Sequence, residues 1–134
     1  MNSALNRALN QYQQFGTRAS ADQADSHQLI VMLFDGALER IAVAKGAMAR
    51  ADIELKGQKI SRAIAIINGL QASLDADKGG EIANNLFDLY DYMQRRLIAA
   101  NSENSSEALD EVSDLLKEIR EAWQAIPMEY RALQ

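Results

Sequence analysis

Leu29-Ile30-Val31-Met32-Leu33-Phe34-Asp35-Gly36-Ala37-Leu38 is the stretch whose reading decides the fold. A helix in a plain bundle buries one stripe and shows water the rest. This segment is apolar on nearly all sides for two turns. It then reverts to an ordinary stripe at Ile41, Ala44 and Met48. The main stripe is Leu29, Met32, Leu33, Gly36, Ala37, Ile41, Ala44 and Met48, with a second row of Ile30, Phe34 and Leu38 beside it. A helix with that much apolar surface needs cover beyond its own bundle, from the rest of the chain or from another protein. The expectation is a protein that holds something.

Working outward, Asp25 with Gln28 three residues on reads as a capping box for this helix, which should end near Arg50 or Ala51. Asp52 can cap the next helix. Its stripe is Ile53, Gly57, Ile60, Ile64, Ile67 and Leu74, with Ala63, Ile66 and Leu70 alongside. Asp75-Ala76-Asp77-Lys78-Gly79-Gly80 reads as a turn, its glycines suited to a helix stop. A third stripe runs Ile82, Leu86, Leu89, Tyr90, Met93, Leu97 and Ala100. Asn101 to Ser106 breaks it, and Asn104 or Ser105 can cap the last helix. That helix uses Ala108, Val112, Leu115, Leu116, Ile119 and Trp123 and frays toward Pro127. Short connections between four similar helices predict an all-α, antiparallel up-down four-helix bundle over residues 25–126. The remaining residues, 127–134, should form a frayed tail of this single domain.

Upstream, Leu5, Ala8, Leu9, Tyr12 and Phe15 recur at helical spacing in a segment too short to be stable alone. Gly16 opens a polar linker. Residues 1–24 therefore read as an amphipathic arm on a tether.

Composition agrees. The 134 residues suffice for one core, and the single proline permits long helices. No cysteine is present, which excludes disulfides, thiolate nucleophiles and Cys-ligated zinc. The net charge of −5, with no run of Lys or Arg, speaks against nucleic acid. No apolar run reaches the roughly 20 residues that span a bilayer. The first residues lack the pattern of a signal peptide. The expected compartment is the cytosol, without membrane insertion.

Catalytic chemistry finds little support. The one histidine, His27, rules out a two-histidine di-iron site and reads as a first-turn polar residue. Asp25-Ser26-His27 holds the residue types of a hydrolase triad, but neighbours at a helix cap do not take up triad geometry. Lys78-Gly79-Gly80-Glu81 lacks the Walker pattern and reads as a turn. The carboxylates lie mostly on polar faces. Arg95 and Arg96 point about 100° apart on a helix, so one of them can meet a carboxylate on a neighbouring helix. Tyr92 falls off the core stripe and should be partly exposed. The expectation is no enzyme, no cofactor and no metal.

Three segments sharpen the reading: residues 27–38, residues 78–97, and Glu107-Ala108-Leu109-Asp110-Glu111-Val112 through Trp123. Together they resemble the FliS family of flagellin-specific export chaperones, with order and spacing matched from Tyr12 to Trp123. The family often has a Ser/Thr-Pro cap before the first long helix. Here Ala24-Asp25-Ser26-His27 has no proline, and Asp25 can serve instead.

The resemblance implies a cytoplasmic chaperone that binds the disordered C-terminal segment of flagellin. Such a protein prevents premature polymerisation and helps delivery to the flagellar type III export apparatus. An export-gate component and a co-chaperone are further partners that it brings into view. Groove residues are expected at Ile30, Phe34 and Leu38, with Leu29, Met32 and Leu33 as neighbours. Tyr92, Arg95 and Arg96 are secondary positions. Leu5, Leu9, Tyr12 and Phe15 are expected to cover the groove in the free protein, Tyr12 matching the family's N-terminal tyrosine. The alternative is a homo-oligomeric structural or adaptor bundle, for instance a homodimer, that binds another flagellar or regulatory protein.

Overall fold

A computed structural model describes residues 26–125. Four helices follow one another: α1 (Ser26–Ala49), α2 (Ile53–Ala72), α3 (Ala76–Glu103) and α4 (Ser106–Ala125). The segments 1–24 and 127–134, with the arm residues Leu5, Leu9, Tyr12 and Phe15, lie outside the described residues. So does the Asp25 cap.

Each helix packs against its two neighbours in a closed ring, α1 on α2, α2 on α3, α3 on α4 and α4 on α1. Polar pairs across the seams reveal direction. Asp35 meets Arg120 while Lys45, further along α1, meets Asp110, earlier in α4. Lys56 meets Asn101 while Gln71 meets Phe87. Both seams are therefore antiparallel. The brief links Arg50-Ala51-Asp52, Ser73-Leu74-Asp75 and Asn104-Ser105 return the chain between the other packed pairs.

The caps follow from side-chain chemistry. Asp52 accepts from the Leu55 amide at 3.2 Å, as the sequence predicts. The two residues offered as caps for α4 divide the work. Ser105 Oγ accepts from the Ala108 amide at 3.2 Å, while Asn104 ends α3 in the left-handed region at φ 52°. Asparagine tolerates that conformation better than most side chains. The stretch expected to be a plain turn at 75–80 instead begins α3. Asp75 accepts from the amides of Asp77 and Lys78, and the helix is interrupted at Gly80 (φ 55°, ψ −128°). That backbone is open to glycine and strained for other residues.

α1 ends in a Schellman motif: the Asp52 amide reaches Ala47 O at 2.8 Å and the Ala51 amide reaches Met48 O at 3.1 Å. Its left-handed position is Ala51, φ 59°. A Cβ there costs about 1–2 kcal/mol, and glycine's extra unfolded-state freedom offsets about 0.5–1 kcal/mol of that. Ala51→Gly should therefore stabilise the bundle by about 0.5–1 kcal/mol and raise Tm by roughly 2–5 °C. A lower Tm in a thermal melt would contradict this reading of the turn.

The core is built from Ile30, Val31, Leu33, Phe34, Ala37, Ile41 and Ala44 of α1 with Ile60, Ala63, Ile66, Ile67 and Leu70 of α2. Tyr90, Met93, Leu97 and Ala100 of α3 and Ala108, Leu109, Val112, Leu116 and Trp123 of α4 complete it. This corrects the reading of α1. Ile30 and Phe34, taken as the spare row, are 4% and 0% exposed, whereas Leu29 and Met32 of the expected main stripe are half-buried. Two α-helical neighbours on adjacent sides bury a face wide enough to take both rows. Ile53 and Ile82, also expected inside, are 72% and 57% exposed. Ile53 stands at the very start of α2, and Ile82 follows the Gly80 interruption, so each precedes the point where its stripe meets the core.

Candidate functional site: polar clasps and the exposed faces of α1 and α3

Two buried polar groups fasten the ends of the bundle. His27 Nε2 lies 2.6 Å from the Trp123 carbonyl, and Trp123 Nε1–H donates to the His27 carbonyl at 3.0 Å. Their rings stack with centroids 4.8 Å apart. The start of α1 is thereby clasped to the end of α4. His27 is a structural tie, more than the bland first-turn residue its position suggests. At the opposite end, Lys56 is buried although it is a lysine. Its ammonium donates to the Asn101 carbonyl at 2.9 Å and to Asn104 Oδ1 at 2.5 Å. A cation at the C-terminus of α3 meets carbonyls that have no helical partner. A lysine inside an apolar stripe, between Ile53 and Ile60, was the available sequence signal for it. Tyr90 also reaches the core, where burial pushes its phenol pKa up and keeps it neutral. Its hydroxyl has no hydrogen-bond partner among the described residues.

The α3–α4 seam carries a three-residue cluster. Tyr92 Oη–H donates to Glu111 Oε2 at 2.5 Å, and Arg96 Nε–H donates to Glu111 Oε1 at 2.7 Å. Arg96 is thus the arginine that pairs across helices, while Arg95 pairs within α3 to Asp91 at 3.1 Å. The Tyr92 hydroxyl, then the Arg96 guanidinium, hold the Glu111 carboxyl below its ordinary pKa. The same contacts raise the Tyr92 and Arg96 values, so the phenol stays protonated and the guanidinium charged. A carboxyl whose folded pKa is lowered stabilises the fold at pH above its unfolded value, about 4.3. That contribution is lost as pH falls through the lower folded value. In denaturant titrations, Glu111→Gln should therefore reduce stability at neutral pH, and its deficit should shrink in acid. A deficit independent of pH would show that the carboxylate is not what the cluster uses.

The positions expected to meet a partner fall into two groups. On α1, Ile30, Leu33 and Phe34 are enclosed in the core, while Leu29, Met32 and Leu38 are half-buried. On α3, Tyr92 and Arg96 are half-buried at the α4 seam, and Arg95 is exposed. α1 and α3 stand diagonally in the ring, so the two groups sit on different sides of the bundle. Large apolar side chains that sequence reasoning did not single out as exposed are Phe87 and Ile98, 50% and 58% exposed. They are eleven residues apart on α3, three helical turns, and so share a face. The signal was present in the stripe itself, which includes neither of them.

Among the described residues no cluster of His, Cys, Asp or Glu could hold a metal ion. No helix there is long and apolar enough to cross a membrane. The buried polar groups brace helix ends, and partly exposed apolar side chains lie on all four helices. Such a bundle is an all-α scaffold that leaves apolar side chains open to solvent.

The profile of the family described as flagellar protein FliS matches residues 8–130. The flagellar secretion chaperone FliSB of Pseudomonas aeruginosa is 48% identical over 120 residues, 90% of this chain and 95% of the relative. The flagellar secretion chaperone FliS of Salmonella typhimurium is 49% identical over 116 residues, 86% of each chain. That of Bacillus subtilis is 35% identical over 111 residues, 82% of each chain. The chain belongs to the FliS family, a family of chaperones and not of enzymes.

Proposed function

We propose that this protein is a cytosolic export chaperone that binds the disordered C-terminal region of flagellin. It prevents premature polymerisation and helps delivery to the flagellar type III export apparatus. The observation that carries the reading is the match to secretion chaperones across nearly the whole chain, at 48% identity to the Pseudomonas relative. Physical chemistry supports it. An export substrate must stay unfolded without aggregating, and covering its apolar helix against a bundle meets both needs. Helix-in-groove binding uses apolar anchors at helical spacing. Half-buried Leu29 and Met32, one turn apart, supply such a row on α1, and Leu38 is half-buried further along the helix on another face. Met32 adapts to imperfect anchors through its flexible thioether. Ile30, Leu33 and Phe34 back that row from within the core. Tyr92, Arg95 and Arg96 are the polar contacts on the α3 side, and coupled folding of the client is offset by a large interface.

Leu5, Leu9, Tyr12 and Phe15 cover the α1 row in the free protein, and flagellin displaces them. Deletion of residues 1–16 should then tighten binding of a labelled C-terminal flagellin segment and increase binding of an apolar dye to the free protein. An affinity and a dye signal equal to those of the full chain would refute the self-cover role while leaving flagellin binding intact.

A further inference from the structure

A cleft of about 370 Å³ opens between α1 and α2, lined by Arg40, Gln58, Ser61, Arg62, Ala65 and Ile66. Its volume suits one or two side chains of a bound peptide. The four ion pairs among the described residues use Lys45, Arg95, Arg96 and Arg120, so neither arginine of the cleft is paired with a carboxylate. Arg40 is the informative one. One of its terminal nitrogens, Nη1, donates to the Gly36 carbonyl of its own helix at a long 3.3 Å. Its Nε–H is shut off from solvent without any acceptor. An unmet buried donor of that kind is costly, more so when charged. A carboxylate in the cleft would relieve it. Reaching it requires the guanidinium to turn toward the cleft, where Nε–H and an Nη–H would form a fork that matches the two oxygens of a carboxylate.

We propose that the α1–α2 cleft is a carboxylate-binding site for an acidic segment of a protein partner, held by Arg40 and Arg62. Charge and shape select that occupant. Against a chain charge of −5, this cleft gathers two guanidiniums with a hydroxyl and an amide beside them, a local match for a single carboxylate. Ala65 and Ile66 line the same cleft and suit the aliphatic stem of a glutamate, which a free phosphate lacks. The cleft shares α1 with the client surface proposed above, and its test uses no flagellin.

The test titrates the full-length, 15N-labelled protein with a short acetylated and amidated peptide carrying glutamate beside leucine, and with its glutamine counterpart. The arginine Nε–Hε signals are followed. The glutamate peptide should shift the Arg40 signal saturably, and the glutamine peptide should leave it unmoved. Arg62→Gln changes an exposed residue and should keep the native spectrum while weakening the peptide by about tenfold, the loss of one charge-assisted contact. Arg40→Lys, which keeps the charge and loses the fork, should weaken it as well. No shift at millimolar peptide, equal shifts from both peptides, or unchanged affinity in Arg62→Gln would overturn the proposal. Inorganic phosphate binding as tightly as the glutamate peptide would overturn it too.

Discussion

Phe34→Ala should cost about 3–5 kcal/mol and lower Tm by roughly 10–25 °C. Phe34 is 0% exposed and belongs to the continuous core of the bundle. Truncation removes the transfer energy of the ring and leaves a hole that close-packed neighbours fill only in part. Domains of this size are stable by about 5–15 kcal/mol, so the loss is a large share of the total. Phe34→Asp would place an unpaired carboxylate in the same hole and should leave the bundle unfolded at room temperature. Any loss of partner binding in that variant would then report loss of the fold. Thermal and urea melts of Phe34→Ala decide the point. A Tm within a few degrees of the parent would contradict the core assignment and return Phe34 to the surface of a groove.

Trp123→Ala should be nearly as damaging, at about 3–5 kcal/mol. The indole is 3% exposed, stacks on His27 and donates to its carbonyl. Alanine keeps the backbone carbonyl that faces His27 Nε2 but removes the stack, the packing and the N–H donor. Trp123→Phe separates these terms. It retains most of the packing and loses the hydrogen bond, so it should cost only about 1 kcal/mol. Hydrogen exchange adds the location: amides in the first turns of α1 should lose protection in Trp123→Ala before those around Ile41. Uniform loss across α1 would contradict a clasp that acts at the end of the bundle.

Helix number, order and most of the core stripes were legible because 3.6-residue periodicity survives in sequence. Asp52 and Ser105 were readable as caps because short polar side chains before apolar runs have one main use there. The division of α1 was not readable. Where apolar residues occupy nearly every side, periodicity loses its phase, and only the positions of α2 and α4 choose Ile30 and Phe34 over Leu29 and Met32. The clasp between His27 and Trp123 joins residues 96 positions apart, and a lone histidine gives no hint of its partner. Glu111 was one of many carboxylates on α4 until Tyr92 and Arg96 were brought against it. Gly80 was correctly read as punctuation, but its sequence could not say that Asp75 starts a helical turn before it. Of the expected partner-facing residues, helical phase alone gave the partial exposure of Tyr92. The diagonal separation of α1 from α3 depends on the ring order of the bundle.

The most direct test of the account is calorimetric titration of the full chain with the C-terminal segment of its cognate flagellin at several temperatures. The account predicts one-to-one binding with a large negative heat-capacity change, the mark of apolar burial coupled to folding of the segment. Absence of binding by both the full chain and a version lacking residues 1–16 would contradict it, and would leave a FliS-family bundle that serves a different partner.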